Sequence, residues 1–176
     1  MFLLTAILFA VLGDGVQLGE RASPLFVTDL TWLPREVGEL KGERATVLVF
    51  TTLGCPIARR YMPRIVDLEQ AYRDQGVGFV LVNVGADDDV LAIATDRVER
   101  GIGFPVVKDF TGAAAERVGV TRTPEAVLLD GELRLCYRGR IDDQYRLGGV
   151  RPGAAREDLR LALDAAEVYE RLGSPE

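Results

Sequence analysis

The sequence of 176 residues contains no histidine and has only two cysteines, Cys55 and Cys136. The absence of imidazole excludes a Ser-His-Asp triad and a Cys-His pair, and it removes the most common metal ligand of proteins. Two cysteines alone cannot supply the four ligands of a structural zinc site. The sequence therefore predicts no metal site and no cofactor, and it leaves thiols and carboxylates as the candidate catalytic groups.

Acidic residues outnumber basic ones. Lysine and arginine number 21 against 27 aspartate and glutamate residues, which gives a formal net charge of −6. Among the basic residues the only lysines are Lys41 and Lys108. A protein that binds nucleic acid needs a clustered basic face, so no nucleic-acid partner is expected. The length suits one domain with a sizeable core.

The sequence lacks an apolar run long enough to cross a bilayer, which takes about 20 residues. Its most apolar stretch, Phe2–Leu12, has 11 residues. That length is typical of the apolar region of a secretory signal, although no lysine or arginine precedes it. We therefore interpret residues 1–20 as a signal segment and 21–176 as the domain, and we expect export to the periplasm or another extracytoplasmic space. If residues 1–20 instead belong to the fold, the protein is cytoplasmic.

A βαβ unit is predicted in the first half of the domain. Thr46–Thr51 and Val77–Val84 are apolar on both alternating faces, as strands covered on both sides of a sheet are. The segment between them, Pro56–Gln75, has the apolar spacing of a helix, and Gly76 stands where a helix would stop. The residues of that apolar stripe are Ile57, Tyr61, Ile65, Leu68 and Tyr72.

A hairpin and a final helix are predicted in the second half. Glu125–Leu129 and Leu133–Tyr137 are two short strands about Asp130 and Gly131, and Asp-Gly is a strong hairpin signal. Arg156–Leu172 has a usable amphipathic pattern. The order is thus βαβ, a connecting helical stretch, and ββα. This order predicts an α/β fold with a mixed central sheet and helices on both faces.

Three consecutive carboxylates, at positions 87–89, precede the next predicted helix. A helix N-terminus favours negative charge. A carboxylate cage for a cation needs spaced ligands and a chain reversal, which this run does not show. The pattern therefore favours helix capping over a cation site.

The most promising chemistry lies at Cys55, between Gly54 and Pro56. Cys55 follows the first central strand and directly precedes the helix, where Pro56 suits the first helical position. Free backbone N–H groups and the helix dipole at this position favour the thiolate, which is the reactive form. The carboxyl end of a parallel strand is also where α/β sheets commonly have their sites. The alternative is that Cys55 is a small buried apolar residue.

These features resemble the thioredoxin-like redoxins, which include the thiol-specific antioxidant and alkyl hydroperoxide reductase group. Phe50 lies five residues before Cys55, and Pro63 lies eight residues after it, where those proteins kink the helix. Thr123 and Pro124 precede the predicted hairpin at the position of the family's cis-proline. The resemblance covers roughly residues 24 to 172 and implies a thioredoxin-like fold.

Two departures from this family limit the function that the resemblance implies. The thioredoxin motif has a second cysteine three residues after the first, and this chain has Ala58 there. The buried carboxylate of thioredoxins would fall at Val49. An intramolecular dithiol cycle through this motif is therefore excluded, and the protein is not a thioredoxin proper.

The peroxiredoxin pattern is half met. Thr52 lies three residues before Cys55 and Pro56 follows it, as in many of those proteins, so Thr52 is a candidate catalytic residue that could hydrogen-bond a peroxide. The proline expected four residues before that threonine is replaced by Leu48. The family's arginine cannot be assigned from the sequence, and the candidates are Arg59, Arg60, Arg122, Arg138 and Arg140.

The remaining site predictions concern the substrate and the second thiol. Cys136 lies in an apolar context on a predicted strand, so we expect it to be buried and structural rather than a resolving cysteine. The charged stretch 137–145 is interpreted as a salt-bridged turn, with a loop beside the site as the alternative. The predicted substrate-binding residues are Gly54, Pro56, Thr123 and Pro124.

The sequence therefore predicts a thiol-dependent oxidoreductase with a single reactive cysteine, Cys55. Its thiolate would attack a peroxide or a disulfide, and an external reducing thiol would resolve the product. The alternative function is a non-catalytic thioredoxin-like module that binds a partner in the groove beside Cys55. Metal handling by Cys55 and carboxylates is a weaker third possibility, because one thiolate without imidazole is a poor copper or zinc site.

Overall fold

The structure is a computed structural model that describes residues 15–146 and 149–172. The apolar segment Phe2–Leu12, interpreted above as part of a signal, lies outside the described residues. Over the described ranges, no helix is both long and apolar enough to cross a membrane. The first described residues contact the domain, since Val16 is buried and its N–H donates to the Arg117 carbonyl at 2.9 Å.

The described residues form one large sheet, one small sheet, four α-helices and two short 3₁₀ helices, Val37–Leu40 and Arg73–Gln75. The strands are β1 (Phe26–Asp29), β2 (Pro34–Glu36), β3 (Ala45–Thr51), β4 (Val77–Asn83), β5 (Val106–Lys108), β6 (Glu125–Asp130), β7 (Leu135–Gly139), β8 (Tyr145–Arg146) and β9 (Gly149–Val150). The helices are α1 (Pro56–Tyr72), α2 (Val90–Glu99), α3 (Ala113–Arg117) and α4 (Asp158–Leu172). Seven strands form a sheet in the order β2-β1-β5-β4-β3-β6-β7, and β8 pairs with β9.

The pairing of the central strands brings the ends of four strands to one edge of the sheet. β3 runs parallel to β4, with Thr51 opposite Asn83, and β4 runs parallel to β5. β6 is antiparallel to β3, with Phe50 opposite Glu125. The carboxyl ends of β3, β4 and β5 therefore lie at the same edge as the amino end of β6. The predicted parallel pair and the mixed sheet are confirmed.

Helices cover both faces of this sheet because β3 is apolar at every position but two. Its side chains alternate between the faces. Val47 and Val49 pack with α1 and α4 in one buried cluster, whereas Leu48 and Phe50 pack with α3 in a second cluster. The prediction of an α/β class with helices on both faces is confirmed.

Helix α1 follows the predicted stripe closely. Ile57 is half-buried, and the other four stripe residues are buried. Pro63 lies inside the helix on its exposed side. The last predicted turn, residues 73–75, is a 3₁₀ turn, and Gly76 ends it with a φ of 78°, a conformation that favours glycine.

The hairpin of β6 and β7 has a longer turn than the two-residue Asp-Gly turn predicted for it. The side chain of Asp130 accepts hydrogen bonds from the backbone N–H groups of Glu132 (2.9 Å) and Arg134 (2.8 Å). Leu133 adopts a φ of 61° within this turn. The second strand consequently begins at Leu135, two residues later than expected.

Candidate functional site

Cys55 begins the helix that follows the central strand. It is the N-cap residue of α1, and Pro56 occupies the first helical position. The loop 52–54 connects it to β3, and the Cys55 N–H donates to the Thr52 carbonyl at 3.3 Å. The side chain is half-buried. The predicted location of Cys55 at the strand-to-helix junction is thus confirmed.

Two backbone groups contact the Cys55 sulfur. The N–H of Ala58 donates to Sγ at 3.4 Å, and the thiol donates to the carbonyl oxygen of Thr123 at 3.3 Å. The peptide bond between Thr123 and Pro124 is cis, as the resemblance implies. The sulfur therefore lies between the N-terminus of α1 and the loop that leads into β6. The structure brings together Cys55, Thr123 and Pro124 as predicted from the family pattern.

The other predicted site residues lie around Cys55 without a side-chain bond to it. The hydroxyl of Thr52 makes no hydrogen bond within the described part of the chain. Gly54 is exposed, and a Cβ at this position would meet no described atom within 4 Å. Pro56 is also exposed. The approach to the sulfur from this side is therefore open.

Asp88 holds the loop that carries Cys55, a role that the sequence analysis missed. Its Oδ2 accepts hydrogen bonds from the Leu53 N–H at 2.7 Å and from the Asn83 side-chain amide at 2.7 Å. Asp88 lies on the segment after β4, so this contact ties two neighbouring strand ends together. Its position four residues after a predicted strand gave no indication of the partner, which lies 35 residues earlier in the chain.

A buried lysine lies beside this contact. Lys108, at the end of β5, is 2% exposed, and its Nζ donates to the Gly85 carbonyl at 2.6 Å and to Asn83 Oδ1 at 3.3 Å. A buried ammonium needs such partners to offset its lost hydration. Asn83 thus connects Lys108 to Asp88. The three side chains form a continuous hydrogen-bond network at the edge of the sheet next to the Cys55 loop.

Glu125 is a buried carboxylate near the site that the sequence analysis did not assign. It follows Pro124 directly, and only 4% of it is exposed. One of its oxygens accepts from the Thr121 N–H at 2.9 Å, and the other lies 3.5 Å from Arg122 Nε. These contacts fix the loop that presents the Thr123 carbonyl to the sulfur. The one feature of the sequence that could have indicated this role is the position of the carboxylate directly after the proline of the Thr123–Pro124 pair.

The structure keeps both cysteines free. Cys136 lies beside Tyr137, which pairs with Leu128, and Leu128 pairs with Val47 of β3. Cys136 is therefore two strands away from β3 and level with the first half of that strand, whereas Cys55 lies beyond its end. At about 3.3 Å per residue and 4.8 Å per strand, the Cα atoms of the two cysteines are much farther apart than the roughly 7 Å that a disulfide allows.

Cys136 is exposed, so the prediction that it is buried was wrong. Side chains alternate along β7, and the burial of Leu135 turns Cys136 to the opposite face. Partial desolvation, and secondly the charge of Asp130, raise the pKa of the Cys136 thiol. This thiol is consequently less ionised near neutral pH than an ordinary cysteine.

The three consecutive carboxylates have separate roles. Asp89 is the N-cap of α2, and its Oδ1 accepts from the backbone N–H groups of Leu91 (2.8 Å) and Ala92 (3.2 Å). Asp87 is exposed. The capping prediction is therefore confirmed for Asp89 alone, because Asp88 turns back toward the Cys55 loop. Within the described ranges, no group of cysteine and carboxylate side chains is arranged to hold a metal ion.

The charged stretch 137–145 forms ion pairs with other elements, in line with its interpretation as a salt-bridged turn. Arg140 pairs with Asp158 at the start of α4. The buried Asp142 pairs with Arg64 and accepts a hydrogen bond of 2.5 Å from the Tyr61 hydroxyl. This stretch therefore attaches α1 and α4 to the end of the sheet.

Known proteins resemble this chain in sequence and in fold over most of its length. The thiol-disulfide oxidoreductase ResA of Halalkalibacterium halodurans is 29% identical over 128 residues, which are 72% of this chain and 71% of that protein. The crystal structure of an uncharacterized conserved protein from Geobacillus kaustophilus is 29% identical, with a TM-score of 0.77 over 86% of this chain and 83% of its own. A hypothetical protein from Sinorhizobium meliloti 1021 is 26% identical, with a TM-score of 0.76 over 93% and 91%.

The family assignment rests on most of the domain. Residues 22–146 match the family profile described as Redoxin. This range includes Cys55, the cis-proline loop and all seven strands of the main sheet. The chain belongs to the Redoxin family and has a thioredoxin-like fold.

Proposed function

We propose that the protein is a thiol oxidoreductase in which Cys55 is the redox-active thiol and a disulfide is its favoured oxidant. The observation that carries this proposal is the position of Sγ, within hydrogen-bond distance of both the Ala58 N–H and the Thr123 carbonyl. The Ala58 amide at the start of α1 contacts the sulfur that would attack the disulfide. The similarity to a thiol-disulfide oxidoreductase supports the same reaction class.

The neighbouring residues have complementary roles in this proposal. Thr123 and Pro124 present backbone to an extended substrate segment beside the sulfur. Gly54 and Pro56 border the open approach, where exposed small or rigid residues leave room for a protein chain. The partner is accordingly a protein thiol or disulfide.

The exchange proceeds in two balanced steps. The Cys55 thiolate attacks one sulfur of the substrate disulfide, the substrate S–S bond breaks, and a mixed disulfide forms. The leaving thiolate retains the bonding electron pair and takes a proton from solvent. An external thiolate then attacks the mixed disulfide, which releases the Cys55 thiolate and a new disulfide.

The second step requires an external thiol because the chain offers no resolving cysteine near the site. Ala58 occupies the position of the second motif cysteine, and it is 1% exposed. Cys136 lies on the far side of β6 from β3, out of reach in the folded state. The mixed disulfide should therefore persist until a reducing thiol arrives.

The reaction of the full chain with dithiobis-nitrobenzoate tests this proposal, because each exchange releases a coloured thiolate and leaves a mixed disulfide that mass spectrometry locates. We expect rapid release from the wild type and from Cys136→Ser. We expect only slow release from Cys55→Ser. Equal, slow reaction of all three proteins would instead favour the non-catalytic binding module.

Peroxide is a second candidate oxidant, which Thr52 favours. Its hydroxyl is without a hydrogen bond in the described structure, and it follows β3 three residues before Cys55. In this reaction the thiolate attacks one peroxide oxygen, the O–O bond breaks, and the other oxygen leaves as hydroxide or alkoxide and is protonated. The product is a sulfenic acid on Cys55. An external thiol condenses with it to form a mixed disulfide and water.

Peroxide consumption with a reducing thiol distinguishes the two oxidants. If peroxide is a substrate, Thr52→Val should slow its consumption while leaving disulfide exchange close to the wild-type rate. Consumption that is unchanged in Cys55→Ser would eliminate the peroxidase function.

We also propose that the protein is exported, on the basis of the apolar segment Phe2–Leu12. Expression with subcellular fractionation and N-terminal sequencing tests this. Recovery of an uncleaved chain in the cytoplasm would contradict it. Cleavage before Val16 would preserve the hydrogen bond between that residue and Arg117.

A further inference from the structure

Lys108 is a buried charged side chain that the proposed reaction does not use. It ends β5, and only 2% of it is exposed. Its Nζ donates to the Gly85 carbonyl and to Asn83 Oδ1, and it lies 5.2 Å from the centre of the Phe110 ring. Among the described residues it forms no ion pair with a carboxylate. Burial of a charge without such a partner is costly, so the presence of lysine here needs a reason.

The two oxygens that accept from Lys108 do not depend on it for a hydrogen bond. The Gly85 carbonyl also accepts from the backbone N–H of Asp88 at 3.2 Å, and Asn83 Oδ1 also accepts from the Gly85 N–H at 3.0 Å. An apolar side chain of similar length would leave both oxygens bonded and would avoid the burial of a charge. The local hydrogen bonding therefore does not explain why this residue is a lysine.

Asn83 connects Lys108 to the loop before Cys55. The amide oxygen of Asn83 is turned toward Lys108, so its NH₂ group points the other way. There Nδ2 donates to Asp88 Oδ2 at 2.7 Å, and the same oxygen accepts from the Leu53 N–H at 2.7 Å. Three consecutive hydrogen bonds thus lead from the ammonium group to the backbone two residues before Cys55.

Lys108 and Asp88 have opposite charges at the two ends of the Asn83 amide. Asp88 is half-buried and forms no ion pair among the described residues. Charges inside a protein are screened less than charges in water, and hydrogen bonds in a chain polarise and strengthen one another. The positive charge of Lys108 therefore favours the position of the Asp88 carboxylate at the sheet edge over a position in solvent.

Gly85 leaves the space that this carboxylate occupies. A Cβ on Gly85 would lie closer to Oδ2 and Cγ of Asp88 than van der Waals contact allows. A larger residue at position 85 would therefore displace the carboxylate from the Leu53 N–H. The segment between β4 and α2 is thus shaped around the contact between Asp88 and the Cys55 loop.

We infer that Lys108 is a positioning residue for Cys55 and that it acts through Asp88. Its charge holds this carboxylate on the Leu53 N–H, which fixes the loop and keeps the sulfur beside the Thr123 carbonyl. The inference rests on the proposed function and adds to it a buried residue that controls the rate of disulfide exchange without contacting the sulfur.

Two reactions of the full-length Cys136→Ser protein, the parent of all the variants below, test the inference. Exchange with dithiobis-nitrobenzoate requires the Cys55 sulfur to lie in line with the S–S bond of a bulky substrate, so its rate depends on where the loop holds that sulfur. Iodoacetamide is smaller, and its rate reports mainly the access to the thiol and its ionisation. The ratio of the exchange rate to the alkylation rate at one pH therefore reports the position of the sulfur.

A double-mutant cycle determines whether Lys108 acts through Asp88. We expect Lys108→Met to lower the ratio by about threefold or more, and Asp88→Ala to lower it at least as far. In the Asp88→Ala protein, Lys108→Met should cause no further loss, because the carboxylate that it holds is absent. Urea unfolding should show that Lys108→Met is folded, since both acceptor oxygens keep a second donor.

Gly85→Ala tests the same connection without removing a charge, and it decides the question if Lys108→Met does not fold. The added methyl group should displace the Asp88 carboxylate, so the ratio should fall about as far as in Asp88→Ala. Gly103→Ala is the matched control, because the nearest atom to a Cβ there, Nη2 of Arg73, is 4.0 Å away. It should leave the ratio unchanged.

The outcomes separate this inference from the function on which it rests. If the parent exchanges and Lys108→Met keeps the parent ratio, the positioning role is overturned and the oxidoreductase proposal stands. The same holds if Lys108→Met lowers the ratio equally with and without Asp88, or if Gly85→Ala keeps the parent ratio. If Cys55 of the parent does not exchange with dithiobis-nitrobenzoate, the proposed function itself fails.

Discussion

The sulfur of Cys55 lies 3.3 Å from the carbonyl oxygen of Thr123, although 68 residues separate the two in the chain. The contact forms because β3 and β6 are adjacent and antiparallel, so the end of one lies beside the start of the other. A thiol at a helix N-terminus thereby meets the backbone of a cis-proline loop.

Ala58→Cys should convert external resolution into internal resolution. The Ala58 N–H lies 3.4 Å from Sγ, so a thiol on this residue would be close to the mixed disulfide on Cys55. We expect the mixed disulfide with dithiobis-nitrobenzoate to accumulate in the parent and to be lost from the variant with release of a second coloured thiolate. Persistence of the mixed disulfide in the variant would show that position 58 cannot reach it.

Cys55 and Cys136 should differ in alkylation rate. At about pH 7.5 we expect iodoacetamide to modify Cys55 first, because the thiolate is the reacting form and the thiolate of Cys136 is disfavoured. Desolvation raises the pKa of Cys136, so its thiolate fraction and alkylation rate should increase mainly as the pH rises above the ordinary cysteine range. Peptide mass spectrometry over a pH series measures both rates. Modification of Cys136 before Cys55 would contradict this order.

Asp88→Ala should loosen the loop that carries Cys55. The substitution leaves the Leu53 N–H and the Asn83 amide without their acceptor, which we expect to lower the free energy of unfolding by about 1–3 kcal/mol. The exchange rate of Cys55 should fall as well, because its loop is less well fixed. Urea unfolding and disulfide exchange measure the two effects.

The neighbouring substitution Asp87→Ala is the matched control for Asp88→Ala. Asp87 is exposed, so its removal should change the free energy of unfolding by less than about 0.5 kcal/mol. Equal effects of the two substitutions would mean that the charge of the segment, rather than the two hydrogen bonds, stabilises the loop.

Alkaline pH should destabilise the fold through Tyr72. Burial, and secondly the hydrogen bond to Asp164, raise the pKa of Tyr72 from its ordinary value of 10.0 to about 12. The folded state therefore favours the neutral phenol, and this stabilisation is fully present below pH 10 and lost as the pH rises toward 12. Urea unfolding between about pH 9 and pH 11.5 should show a falling free energy of unfolding.

Tyr72→Phe should reduce that fall without removing it, because Tyr137 also has a pKa raised to about 12 by burial. At neutral pH the loss of the hydrogen bond to Asp164 should cost about 1 kcal/mol. An identical pH dependence in the two proteins would show that Tyr72 does not contribute.

Local patterns in the sequence predicted the elements that depend on nearby residues. The apolar run of β3 predicted a strand buried on both faces, and the helical spacing after Pro56 predicted α1. The same patterns did not predict β1, β2 and β5, because strands of three or four residues have too few alternations to be distinguished from loops.

The errors and omissions share one cause, which is dependence on distant neighbours. Cys136 was expected in the core because its flanking residues are apolar, but its strand lies at the sheet edge and turns it outward. Asp88 and Glu125 were not recognised as supports of the site because their partners are fixed by strand order. The cis-proline loop was assigned correctly only through the family resemblance.

The sequence by itself determined the fold class, the position of Cys55 at a helix N-terminus and the absence of a second thiol at Ala58, because each follows from residue identity and local spacing. The tertiary structure decided which groups surround the sulfur. Backbone pairing of β3 with β6 supplies the Thr123 carbonyl, and the segment after β4 supplies Asp88, which holds the loop before Cys55. These neighbours are set by the order of strands in the sheet, which no local spacing encodes.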